Sequence, residues 1–121
     1  MNDDEEFKQF EQRILLAYVP ICGFEVQLES QINAVGAYSR VFTGAGVQTN
    51  VSLVGQYLDL PAGSRNAVLE GIWLDGIDFL NGIAITTIFF TAGRLDLIEV
   101  SACGENWPLR TLPSEYQLHA S

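Results

Sequence analysis

The chain has 121 residues, 48% of them hydrophobic and 17% charged, a composition that excludes disordered, collagen-like and coiled-coil chains and fits one globular domain. Fifteen acidic residues against six basic ones leave a net charge of −9. Direct binding to nucleic acid or to an anionic membrane surface, both of which need a basic footprint, is disfavoured, and a cationic protein is the natural partner.

The chain opens on Asn2-Asp3-Asp4-Glu5-Glu6, opposite in sign to the basic start of an export signal, so a cytoplasmic location is expected. Cys22 and Cys103 are then expected to stay reduced. From Asp3 to Val19, Phe7, Phe10, Ile14, Leu15 and Tyr18 fall on one helical face. The acids of the first turn suit the helix dipole, and Pro20 and Gly23 end the helix. A second helix is expected from Phe24 to about Val35, with Phe24, Leu28, Ile32 and Val35 on one side and Gly36 as its stop.

The period then changes from helix to strand. Tyr38 to Thr43 and Val47 to Leu53 read as a hairpin across Gly44-Ala45-Gly46. Leu58 to Asn66, with Pro61, Gly63 and Ser64, is a loop long enough to hop over a strand. Ala67 to Leu74 is a third strand. Ile83 to Thr91, apolar on both faces, is a fourth and central one, covered on both sides or nearly so. After the Ala92-Gly93 turn, Arg94 to Ala102 is a fifth strand, whose alternation slips between Leu97 and Ile98, as at a bulge. The tail from Gly104 is expected to lie extended over the surface. The whole reads as a single α+β domain: two N-terminal helices packed on a meandering, mainly antiparallel sheet of about five strands. Phe7, Phe10, Ile14, Leu15 and Leu28 are expected to pack against Val51, Leu53, Ile85 and Phe89.

The phrase Gly93-Arg94-Leu95-Asp96-Leu97-Ile98-Glu99-Val100, followed by Glu105 and Trp107-Pro108, resembles the ending of a group of small bacterial cytosolic proteins of unassigned function. Glu25, Leu28, Gln31 and the Arg40 to Leu53 hairpin look like that group's short helix and first hairpin. Gly44-Ala45-Gly46 stands where many members have Cys-Gly-Cys, so any thiol or metal chemistry of that turn is missing here. In size and acidity such proteins are similar to immunity proteins of contact-dependent toxin systems, an analogy of class that implies inhibition of a toxin.

Enzymatic signatures are sparse. The single histidine, His119, lies in a tail expected to fray, away from any serine nucleophile. No phosphate-cradling glycine loop precedes a helix, and neither cysteine has a partner at metal-ligand spacing. No cofactor, no metal and no catalytic residue is therefore expected. Asp96, Glu99 and Glu70 read as a solvated strand face rather than an acid–base pair. Asp75, Asp78 and Asn81 recur every three residues but are too few for a calcium site.

The same loop is a candidate contact surface. Phe79 either points outward as an aromatic anchor between Asp75 and Asp78 or folds back to cap the core. Asp59 and Glu70 are the other candidate partner-binding acids. The first thirty residues hold seven acids (Asp3, Asp4, Glu5, Glu6, Glu11, Glu25, Glu29) against Lys8 and Arg13, enough to reinforce an acidic patch. The leading expectation is a non-enzymatic acidic protein that neutralises a basic toxin domain, such as a nuclease, by blocking its cationic active site. The rival readings are a structural or homodimeric domain joined through a sheet edge, and a small-ligand binder or carboxylate enzyme.

Overall fold

A computed structural model of the protein describes the backbone of residues 4–121 and the side chains of residues 9–121. Two helices, α1 (Asp4–Tyr18) and α2 (Glu25–Asn33), precede six strands: β1 (Val35–Phe42), β2 (Gly46–Leu53), β3 (Val68–Asp75), β4 (Ala84–Thr91), β5 (Arg94–Ala102) and β6 (Gln117–Ala120). The strands form one sheet in the order β1-β2-β5-β4-β3-β6, with every neighbouring pair antiparallel. The two helices cover one face of it.

The helical face read from the sequence is the packed one. Phe10, Ile14, Leu15 and Tyr18 of α1 and Leu28 and Ile32 of α2 are buried in a core shared with Val47, Val51, Ile72, Leu74, Ile88, Phe90, Leu95, Ile98 and Val100. Phe7 lies outside the described side chains. The second helix stops before Val35 because Val35 already pairs with Leu53, and the Val54 amide donates to the Ala34 carbonyl.

Leu58 to Asn66 does hop. It carries the chain from β2 past the ends of β5 and β4 to β3, running beside the Ala92-Gly93 turn. That turn has both residues at positive φ, the type I′ form that matches strand twist. Gln31 staples the crossing: its Nε2 donates to the carbonyls of Leu58 and Gly93, both at 2.8 Å, and its Oε1 accepts from the Leu95 amide at 2.7 Å. The side chain is fully buried, and its three bonds tie α2 to the crossing segment, to the turn and to the start of β5.

Three expectations are corrected. The tail is no surface drape: Trp107, Leu112 and Pro113 are buried, and the chain returns as a sixth strand on β3. β4 is central but covered on one face only. Its inward residues are Ala84, Thr86, Ile88 and Phe90; Ile85 and Phe89 point to the helix-free face, opposite to the expected phase. The β5 bulge exists slightly earlier than read, with Asp96 the extra residue between the pairs Phe89–Leu97 and Phe90–Leu95. Both cysteines are free thiols, Cys103 exposed and Cys22 half-buried.

β3 has its own bulge between Glu70 and Trp73, around Gly71 at φ +116. Tyr18 closes it from the helix side. Thr86 Oγ1 donates to the Ile72 carbonyl at 2.7 Å and lies 2.7 Å from the Tyr18 hydroxyl, which therefore donates to it. The Ile72 amide in turn donates to the Tyr18 oxygen at 3.4 Å. Burial pushes the Tyr18 phenol above its ordinary value, outweighing the hydrogen bonds that act the other way.

The folded state then holds the proton more tightly than the unfolded chain. Tyr18 contributes stability that is complete below the unfolded pKa of about 10 and is lost as pH rises through the folded value. Urea denaturation between about pH 9 and about pH 11 is expected to show stability declining with pH, and declining less steeply in Tyr18→Phe. Equal slopes would place the alkaline sensitivity elsewhere.

Candidate functional site

Cross-strand pairing writes the helix-free face as rows, because side chains at paired positions project to the same side. Val68 of β3, Phe89 of β4 and Leu97 of β5 form an apolar row. Glu70, Thr87, Glu99 and Gln48 form a polar row across β3, β4, β5 and β2, in which Gln48 Nε2 donates to Glu99 Oε2 at 3.1 Å. His119, Trp73, Ile85 and Ser101 form a third. Ile85 is 47% and Val68 52% exposed. Among the described residues no element covers this face. Among the described strand residues its acids are Glu70, Asp75, Asp96 and Glu99, and its guanidinium is Arg94, at the far end of β5 beside Thr91.

Trp73 is held upright. The His119 imidazole stacks on it at 4.3 Å and 23°, and His119 Nε2 lies 2.7 Å from Asp75 Oδ1. The frayed histidine of the sequence reading is thus a strand residue with two partners. Beside Trp73, between β3 and β4, the β3 bulge opens a groove of about 460 Å³ lined by Glu70, Trp73, Ile83, Ile85, Thr87 and Ser121.

The loop after β3 is more occupied than its sequence implies. Phe79 folds back: it packs edge-on against the buried Trp107, with ring centroids 5.0 Å apart, which is the core-capping alternative. Asp78 is exposed, but its Oδ1 accepts the amides of Ser114 (3.0 Å) and Glu115 (3.5 Å) and fastens the tail. Glu105 does the same for the loop itself, accepting from Asn81 and Gly82. The structure therefore puts Asp75 and Glu70 on the helix-free face, whereas Asp78 lies in the loop and is tied to Ser114, which borders α1. Asp59 sits apart, beside Gly93 at the opposite end of the sheet, and does not join them.

The expected N-terminal acidic patch changes too. Glu25 and Glu29 are exposed, and the side chains of residues 3–6 lie outside the described set. Glu11 is 2% exposed: Arg40 clasps its carboxylate from β1, with Nη2 at 2.7 Å from Oε1 and Nε at 3.1 Å from Oε2, and Thr49 of β2 donates its hydroxyl to Oε2. The sequence carries a signal for the burial of Glu11 but not for its partner: Glu11 lies beside Phe10 and three residues before Ile14, on the edge of the apolar face. The open-face groove had no such signal, since it depends on the register of β3 against β4.

Among the described residues no group of three His, Cys, Asp or Glu side chains is placed to hold a metal ion, and no helix is long and apolar enough to cross a membrane. No family model matches the chain, and no curated protein or solved structure shows significant similarity to it.

Proposed function

We propose that this protein is a non-enzymatic binding protein that neutralises a basic protein partner, most simply a bacterial toxin domain such as a nuclease, by covering its cationic active site. The observation that carries this reading is the uncovered sheet face, where exposed Ile85 and Val68 and half-buried Trp73, Phe89 and Leu97 lie among four carboxylates. Apolar rows on either side of the Glu70–Glu99 row give this face both the aromatic contacts and the charges from which protein interfaces are built. A carboxylate surface also mimics the anionic substrate that a nuclease attracts, so association is steered by the same field.

The first test is co-expression with the genes adjacent in the source genome: one product is expected to be toxic alone and harmless with this protein. If no neighbouring product is toxic, or the toxic one is not neutralised, the reading falls. With the purified pair, the association rate is expected to fall as salt rises, because exposed charges are screened within about 8 Å at physiological ionic strength. Asp75→Asn combined with Asp78→Asn is expected to slow association while leaving dissociation nearly unchanged. Asparagine keeps the oxygen that His119 and the Ser114 amide use, so this pair of changes removes charge without loosening the tail.

One observation favours a second reading. β1 is an eight-residue edge strand with exposed Val41, and such an edge invites pairing with a second copy. Sedimentation separates the two: a dimer that persists on dilution and recovers no basic partner supports the edge-paired domain.

A further inference from the structure

Resting on that reading, we infer that the groove beside Trp73 receives an arginine side chain presented by the basic partner. The groove has an apolar wall in Ile83 and Ile85, an aromatic wall in Trp73 and a carboxylate in Glu70, and among the described residues no cation lines it. Gly71, at a φ of +116 that L side chains rarely adopt, lines the groove and puts no side chain into it. The indole is fixed by the His119 stack, so an incoming group meets a ring already in place.

The polar row places Glu70 and Glu99 on either side of Thr87, two strand spacings apart, roughly 9–10 Å between backbones. Glu99 already accepts from Gln48, and Asp75 is matched by His119. Glu70 is exposed and is the carboxylate at the groove itself.

The chemistry that fits is a flat cation on an apolar stem. A guanidinium stacks on an indole, pairs with a carboxylate through two parallel N–H donors and sheds water more readily than an ammonium. A methylene stem covers the exposed isoleucines as it does on protein surfaces generally. Arginine meets all of these demands at once, lysine only the charge and the stem. The groove therefore supplies a formed anchor pocket within the acidic face, the kind of pocket in which interface energy concentrates.

The probe is an acetylated, amidated Gly-Arg-Gly tripeptide, with lysine and citrulline analogues as comparators, followed by amide and indole N–H shifts in NMR. Arg is expected to give saturable shifts at the Trp73 indole and at the amides of Glu70, Ile85 and Thr87. The lysine analogue should bind more weakly, and citrulline should give none. Glu70→Gln is expected to weaken the arginine peptide about tenfold, the loss of one charge-assisted pair. Thr87→Arg, which supplies a guanidinium from within, should abolish binding. Both positions face solvent, so neither change threatens the fold.

Shifts of equal size around Glu25, Glu29 and Asp59, or equal binding of citrulline, would overturn the inference as plain charge attraction. So would a neutralised partner that binds Glu70→Gln and Thr87→Arg as tightly as the parent, which leaves the neutralising function standing. Conversely, arginine-specific shifts in the groove with no toxic neighbour would remove the toxin reading and keep the groove as an arginine-receiving site.

Discussion

Arg40→Met is expected to lower the folding free energy by about 3–5 kcal/mol, read as a drop in the urea midpoint at unchanged slope. The reason is asymmetric. The Glu11 carboxylate is 2% exposed and receives two N–H bonds from the Arg40 guanidinium and one O–H bond from Thr49. Removing the guanidinium leaves a charge without its counter-charge where water cannot replace it. Removing both charges is a different perturbation: Arg40→Met combined with Glu11→Met is expected to recover most of the loss, since an ion pair taken out of water gains little over a packed apolar pair. A single-variant cost below about 1 kcal/mol would mean that the pair is wetter than its geometry implies. The Arg40 side chain also lies over the Tyr38 ring, 5.5 Å from its centroid, so part of the cost is lost packing rather than lost charge.

Adjacent phenylalanines on β4 provide the second large effect. Phe90 is 3% exposed and meets Phe24 edge-on with centroids 5.6 Å apart, inside the core between α2 and the sheet. Phe90→Ala is expected to cost about 3–5 kcal/mol, the transfer of the ring plus the cavity it leaves. Phe89 is half-buried on the helix-free face, between Val68 and Leu97. Phe89→Ala should cost roughly 1 kcal/mol, within the range of a cross-strand pair on a sheet surface. On the proposed function the order reverses for binding: Phe89→Ala should speed dissociation of the partner, while Phe90→Ala acts only through stability. Equal costs for the two would return β4 to a strand covered on both faces.

What the sequence determined by itself is local. The limits of α1 follow from a helical apolar stripe ended by Pro20 and Gly23, the β1–β2 hairpin from its glycine turn, and the bounds of β5 from the Ala92-Gly93 turn and the alternation after it. The bulge in β5 was visible as a slipped alternation. Each of these signals needs only neighbours within a few residues. The acidic loop after β3 was legible as a cluster of charges, but not the tasks of Asp78 and Glu105, which hold amides 23 or more residues away in the chain. The tertiary structure decided the rest because the local signals were degenerate. Ile83 to Thr91 is apolar on both faces, so hydrophobicity could not choose its phase; pairing with β5 and the Tyr18–Thr86 bond did. Gln117–Ala120 is too short and mixed to announce a strand, and exists because β3 offers it an edge. Glu11 looked like one acid among seven until Arg40, 29 residues on, was brought beneath it. The open groove beside Trp73 likewise needs β3, its bulge and β4 in register, a relation between segments that no single segment encodes.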